Sequence, residues 1–221
     1  MALMKTGAAV PAALACAAVL ALLCQGCLGP SSVAPVGHFL LAPELGGVGR
    51  AAESIPATLG IRPLLAGNSF DKRVAVLRPG SRLEYYPDET WSESPELAVT
   101  RAVTDAIVAT GRFHDVGNAA DMSRPDAIMT GELRAFFVDI TGDAPVVRVE
   151  ARLEMRQSRE KKLVWAETLC ETEPLGGSGR EIYGMAMNRA VGRLALRVAE
   201  SVKNLDVVCG EISADSAKEP K

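Results

Sequence analysis

The chain has 221 residues, of which 48% are hydrophobic and 23% are charged, and its formal net charge is −3. This composition is typical of a globular protein with a substantial core. Because the chain has no excess of basic residues, we expect no nucleic-acid partner.

The amino terminus has the pattern of a secretory signal peptide. Lys5 precedes an apolar stretch from Ala8 to Leu23, and the small residue Gly26 directly precedes Cys27. We therefore expect residues 1–26 to be a lipoprotein signal peptide and the thiol of Cys27 to be acylated, which would anchor the chain to a membrane. An uncleaved membrane anchor is the alternative, because the apolar run approaches the roughly 20 residues that span a bilayer.

The mature chain divides into three parts by composition. Residues 27–35 combine the acylated Cys27 with a run of Gly, Pro and Ser, which predicts a flexible tether. We expect one folded domain over residues 36–210, followed by a polar tail at 211–221 that frays. Short apolar segments between turn residues predict its strands. These segments are Val36–Leu41, Ala57–Leu65, Arg73–Leu77, Leu83–Tyr86, Arg112–Val116, Asp126–Ile140, Val147–Arg156 and Leu163–Thr172.

A first helix is predicted after the fourth of these strands. Ser94 can cap its first amides, Pro95 suits the first helical position, and Gly111 suits the left-handed residue that closes a helix. Apolar residues at helical spacing predict the buried face. They are Leu97, Val99, Val103, Ala106 and Ile107.

The clearest alternation in the chain lies between Val147 and Arg156. Apolar residues at odd positions predict a buried face, and the alternating Arg and Glu at even positions predict an exposed one, on which charges pair across strands. The alternative is that this charged ladder contacts a partner protein. Ser158–Lys162 is the predicted hairpin turn that leads into the next strand.

A second helix is predicted to begin at Ser178, with Glu181 at the spacing of a capping box. Its apolar positions place Met187 in the core. For Met185 and Met187 we expect gap-filling core positions, with a lipid-contacting surface as the alternative. The order of elements predicts an α+β fold, in which a mixed, mostly antiparallel sheet carries the two main helices on one face.

The mature chain retains Cys170 and Cys209. Whether they form a disulfide or stay free thiols is open. A helix of about 25 residues lies between them and spans roughly 38 Å, which places Cys209 far from the strand that holds Cys170 unless the tail folds back. The only histidines are His38 and His114, and no nucleophile, base or metal-ligand spacing is evident, so we expect no enzyme, cofactor or metal site.

Together these segments resemble a known family. An aromatic-ended strand, a Trp shortly before Ser-Pro-Glu-Leu, an amphipathic helix and a closing Gly-Arg-Phe-His-Asp-Val resemble the ABC-type transport auxiliary lipoproteins, the family of paraquat-inducible protein C. The resemblance extends from Gly37 through the segment Phe70–Arg78 to the last helix. The residues that match the family signature, and that we expect to be structural, are Tyr85, Tyr86, Trp91, Pro95, Leu97 and Phe113. We expect the aromatic ones to seal the helix against the sheet, with a ligand platform as the alternative.

The resemblance implies a function that composition and periodicity do not reach. It implies an accessory lipoprotein that docks onto the periplasmic MCE-domain protein of a transport system with an ABC permease, and that moves phospholipids or other hydrophobic molecules between membranes. It also implies self-association. Because Leu28 rather than Asp follows Cys27, sorting implies the periplasmic face of the outer membrane.

Two other functions stay open. One is an envelope-assembly or peptidoglycan-associated lipoprotein, whose α+β domain would have a similar sequence pattern. The other is a lipid-modifying enzyme, which we disfavour because the chain has no evident pair of nucleophile and base.

Overall fold

The computed structural model describes residues 36–67, 70–177, 179–205 and 207. The predicted signal peptide, the acylation site Cys27, the tether, Cys209 and the polar tail lie outside these residues. The strands are β1 (Gly37–Phe39), β2 (Ile55–Ile61), β3 (Leu65–Ala66), β4 (Arg73–Arg78), β5 (Arg82–Trp91), β6 (Phe113–Asn118), β7 (Ala127–Asp139), β8 (Val146–Gln157) and β9 (Leu163–Pro174). The helices are α1 (Pro95–Thr110) and α2 (Glu181–Val202).

The sheet is organised around β7. On one side β7 pairs along its whole length with β8, which pairs with β9, and both pairings are antiparallel. On the other side β2, β3 and β4 meet β7 one after another, each in a short parallel pairing. The sheet therefore branches into one limb of β2 and β6 and another of β4, β5 and β1. Because the long ladders are antiparallel, the predicted mixed, mostly antiparallel sheet is confirmed.

Both helices pack on one face of this sheet and against each other, as the α+β prediction requires. α2 lies on β8 and β9, and α1 lies on β6 and α2. The alternating residues of β8 supply the sheet side of the core, and each fully buried large side chain contributes roughly 1.5–3 kcal/mol. Trp91 is 1% exposed and packs edge-on against Phe136, with ring centroids 5.3 Å apart.

The limits of α1 agree with the prediction, but its buried face does not. The helix begins at Pro95 and closes at Gly111, whose φ of 64° is left-handed and whose N–H donates to the Val108 carbonyl. Ser94 makes no side-chain capping bond. Leu97 is 47% exposed, so its predicted burial is wrong. The reason is that two residues subtend about 200° on a helix, which turns Leu97 away from the stripe that contains Val99.

The predicted capping box at α2 is also wrong. Glu181 is the first helical residue, and Arg180 occupies the cap position without a side-chain capping bond. Ser178 lies outside the described residues. The start of α2 is held instead by its side chains. The Arg180 guanidinium lies 3.2 Å from the buried carboxylate of Glu89, and the Tyr183 ring stacks on Tyr86 at 5.3 Å.

Three strands differ most from the predicted ones. The first is only Gly37–Phe39, and β5 continues to Trp91 rather than ending at Tyr86. The segment predicted as a single strand from Ala57 to Leu65 is interrupted after Ile61. There the backbone leaves the sheet, because the Leu64 N–H donates to the Thr100 hydroxyl of α1 at 3.0 Å.

Gly131, in the middle of β7, provides a test of the branched sheet. A Cβ at this position would lie 2.5 Å from the Arg152 carbonyl oxygen and 2.8 Å from a Leu64 methyl group. Because backbone cannot yield as a side-chain end can, we expect Gly131→Ala to lower the free energy of unfolding by about 1–3 kcal/mol in urea denaturation. Gly142→Ala is the control, since no heavy atom lies within 4 Å of its added Cβ. Equal stabilities of the two variants would contradict this packing.

Candidate docking surface

The signature aromatic residues occupy three different environments. Trp91 and Phe113 belong to the core. The Tyr86 and Tyr183 hydroxyls are 2.9 Å apart, and burial together with this hydrogen bond raises the pKa of Tyr86 to about 12. Tyr85, the preceding residue of β5, faces the opposite side, where the Arg73 guanidinium lies 3.9 Å from its ring centroid. The structure therefore does not bring these rings together as one platform.

The open face of the sheet, opposite the helices, is formed by the outward side chains of β7, β8 and β9. Within the described chain no helix covers it. The outward residues of β8 alternate in charge. They are Arg148, Glu150, Arg152, Glu154 and Arg156.

The ion pairs of β8 run along the strand and not across strands as predicted. Arg148 lies 2.8 Å from Glu150, and Arg156 lies 3.0 Å from Glu154. The reason is the composition of β9, because the residues opposite these charges are neutral. The outward neighbours on β9 are Ala166, Thr168, Cys170 and Thr172.

These ion pairs keep the open face charged. The hydrogen bond from Arg156 lowers the pKa of the Glu154 carboxyl, and the bond to Glu150 raises the pKa of Arg148. A surface of exposed, alternating charges is suited to a partner with a polar, charged surface, since complementary charges give specificity and orientation. We therefore take the open face as the candidate docking surface.

Cys170 is exposed on the open face, opposite Glu150. Its predicted partner, Cys209, lies outside the described residues, so their disulfide stays a prediction.

His38 is exposed on β1, with its Nδ1 2.9 Å from the Thr90 hydroxyl, and His114 is exposed on β6. Within the described ranges no three His, Cys, Asp or Glu side chains are grouped to hold a metal ion.

Sequence reasoning missed a ladder of arginines and glutamates that joins α2 to the edge strand β9. Arg193 is bonded both to Glu171, at 3.1 Å, and to Glu173, at 2.7 Å. Arg189 and Arg197 extend the ladder in both directions. Four residues advance about 6 Å along a helix and two advance about 6.6 Å along a strand, so the two rows stay in register. The signal in the sequence was that glutamates occupy those alternating positions of β9 that face the helices, where apolar residues are usual.

The ladder also contacts the backbone of the edge strand β9. Arg193 also donates to the backbone carbonyl of Thr172 at 2.8 Å, which occupies an acceptor that an edge strand would otherwise present to another chain. One backbone acceptor of this edge is therefore already bonded within the domain.

The outer side of α2 carries a shallow groove of about 500 Å³, with Met185, Asn188, Gly192 and Leu196 in its wall. Asn188 fixes the opposite wall, because its side chain bonds the backbone of Leu40 and Ala42. Met185 is 52% exposed here, whereas Met187 is fully buried. The core assignment is thus correct for Met187 and wrong for Met185. Among the described residues neither helix is both long and apolar enough to cross a bilayer.

Comparison with known proteins decides the family. The family model described as "ABC-type transport auxiliary lipoprotein component" matches residues 39–199. The chain belongs to this family. The resemblance inferred from the sequence is therefore confirmed, and as an auxiliary lipoprotein component of ABC transport the protein has partners in a transport system. A search of curated proteins finds no match.

Solved structures support the fold of this auxiliary lipoprotein. One similar crystal structure is that of a Xanthomonas campestris protein of family DUF330, with 18% identity and a TM-score of 0.67, covering 75% of this chain and 94% of that one. Another, of a protein described as uncharacterized, has 7% identity and a TM-score of 0.61 and covers 76% of this chain and 99% of that one. At these identities the likeness shows the fold alone.

The arginine–glutamate ladder predicts a pH dependence of stability. The bond from Arg189 lowers the pKa of Glu173, so its stabilising effect is present above the usual glutamate pKa and is lost as the pH falls through the lowered value. We expect Glu173→Gln to cost about 1 kcal/mol at pH 7 and progressively less below about pH 4. Urea denaturation across this range measures the difference. Glu160→Gln, in the exposed β8–β9 turn, is the control, and a cost for Glu173→Gln that is the same at every pH would contradict the ladder.

Proposed function

We propose that the chain is anchored by an acylated Cys27 and that it works as a periplasmic accessory subunit of an ABC transport system of the MCE type. The observation that carries this proposal is the family match over residues 39–199. The signal peptide pattern before Cys27 supports the anchor, and Leu28 after it supports the outer membrane.

In this proposal the open face docks onto the MCE-domain protein. The interface would be formed mainly by charged groups. Because these groups are already paired along β8, they lose little hydration free energy when a partner with complementary charges replaces water. The exposed large apolar side chains at this face are Leu65, beside Arg152 and Glu154, and Leu163, opposite Arg156. The rest of the face is polar, which favours a partner that associates and dissociates over a permanent, core-like interface.

The same proposal assigns a binding role to this chain rather than a catalytic one. The ABC permease and its ATPase would supply the energy, and the MCE-domain protein would carry phospholipids or other hydrophobic molecules. The lipoprotein would hold that carrier at the outer membrane. Two or more acyl chains on Cys27 would make the attachment stable, because each buried methylene contributes about 0.8 kcal/mol.

Affinity purification from native membranes tests the proposal. We expect tagged protein at its natural expression level to recover an MCE-domain protein and an ABC permease, and Cys27→Ala to lose palmitate labelling and most of this recovery. Charge reversal on the open face, Arg152→Glu with Arg156→Glu, should lower recovery by roughly tenfold, which corresponds to 1.4 kcal/mol.

Arg124→Glu is the matched control for the charge reversal, since Arg124 is exposed in the loop before β7. If transport subunits are absent while envelope-assembly or cell-wall proteins are enriched, the docking proposal is wrong and the alternative function replaces it. If Arg124→Glu weakens recovery as strongly as the open-face pair, the partner binds elsewhere.

A further inference from the structure

β9 is an edge strand of 12 residues, and among the described strands it pairs only with β8. Alternate residues of an antiparallel strand direct their backbone groups to opposite sides. The Leu175 N–H donates to the Pro145 carbonyl and so continues the ladder with β8, whereas the Thr172 carbonyl points away from β8, toward Arg193. The register with β8 is regular from Trp165 onward. The even-numbered residues of this stretch therefore direct their N–H and C=O groups to the free edge.

The free edge is open at Ala166, Thr168 and Cys170. Within the described chain, the edge-directed backbone groups of these three residues make no hydrogen bond. Natural proteins blunt such edges with short strands, bulges, proline or lysine, and this stretch of β9 has none of these. By contrast, β1 has three residues, and β6 exposes the charged or polar side chains of His114 and Asp115. The edge of β9 can thus bond a further strand.

The arginine–glutamate ladder holds this edge rigid without closing it. Arginines of α2 pair with Glu171 and Glu173, so the charge of these carboxylates is balanced within the domain. Glu167 is bound less tightly, because it accepts a hydrogen bond from the neutral Ser201 at 3.0 Å and lies 3.8 Å from Arg197. The Glu167 carboxylate therefore has capacity left for a cationic group on an added strand.

A second copy of this chain does not fit the free edge. Because α2 packs on β8 and β9, and neighbouring strands lie about 4.8 Å apart, two copies joined through β9 would bring their α2 helices to about 5–10 Å from each other. Packed helices lie about 8–10 Å apart, and here a row of arginines from each copy would have to share that space. These are Arg189, Arg193 and Arg197. A single extended segment of another protein brings no second helix and fits beneath α2.

We propose that the periplasmic transport subunit that docks on the open face adds an extended strand to the free edge of β9. The side chains of Ala166, Thr168 and Cys170 lie on the open face, opposite residues of β8, so the added strand would continue the candidate docking surface. Backbone hydrogen bonds would supply affinity, and a basic side chain opposite Glu167 would complement its charge. This inference rests on the proposed function and adds to it the mode of binding.

Hydrogen–deuterium exchange resolved by residue tests the strand addition. The full-length mature protein is measured alone and in the detergent-solubilised complex with the MCE-domain protein that it recovers. In the protein alone, the amides of Glu167 and Leu169 should exchange slowly because they bond β8, and those of Ala166, Thr168 and Cys170 should exchange fast. In the complex we expect the exchange of these last three amides to slow by at least about tenfold.

Edge variants test the same contact by recovery of the MCE-domain protein. Thr168→Pro removes an edge-directed donor and leaves the ladder with β8 intact, because proline is tolerated where a strand's N–H faces outward. We expect it to lower recovery by roughly tenfold. Thr168→Val keeps the N–H and should recover as much as the unaltered protein. Cys170→Pro makes the same test if Thr168→Pro does not fold.

The possible outcomes separate the strand addition from the proposed function. If the MCE-domain protein is recovered, but the exchange of the three amides is unchanged and the folded proline variant binds normally, the strand addition is wrong and the docking stands. Protection that appears in the protein alone and rises with its concentration would assign the edge to a second copy and overturn the proposal. If no MCE-domain protein is recovered, the proposed function fails and this inference fails with it.

Discussion

The hydrogen-bonded ladder along β7 is the constraint on which the rest of the structure depends. β8 occupies one side of this strand along its whole length, and β2, β3 and β4 divide the other side among them. The close approach at Gly131 permits this division, because no side chain fits between Leu64 and the Arg152 backbone. The core under α1 and α2 and the open face on the other side both follow from the position of this one strand.

Local patterns in the sequence predicted the helices and strands better than the way in which these elements pair and pack. The alternation along β8, the start of α1 at Pro95 and its end at Gly111 were all visible, since each depends on neighbouring residues. The branching of the sheet depends on which strand packs where, and no local pattern carries that information. The exposure of Leu97 was within reach of the sequence, because two residues subtend about 200° on a helix. The pairing of Arg193 with two glutamates of β9 required knowing that α2 lies antiparallel to that strand.

The two faces of the sheet have different roles in this account. The helix face is closed by a continuous core and by the arginine–glutamate ladder, which also bonds one backbone carbonyl of β9. The open face keeps its charges paired along β8 and accessible to solvent. A rigid, polar surface of this kind suits the proposed docking onto a larger assembly. The family to which the chain belongs agrees with such an auxiliary role.

The central claim is that the open face is the surface that meets the transport machinery, and site-specific photo-crosslinking in living cells tests it most directly. A photoreactive amino acid at Thr168, in the centre of the open face, is compared with one at Val108 on the exposed side of α1. The account predicts a crosslink from Thr168 to a periplasmic subunit of an ABC transport system and none from Val108. Crosslinks to that subunit from Val108 alone, or from Thr168 only to envelope-assembly proteins, would contradict it.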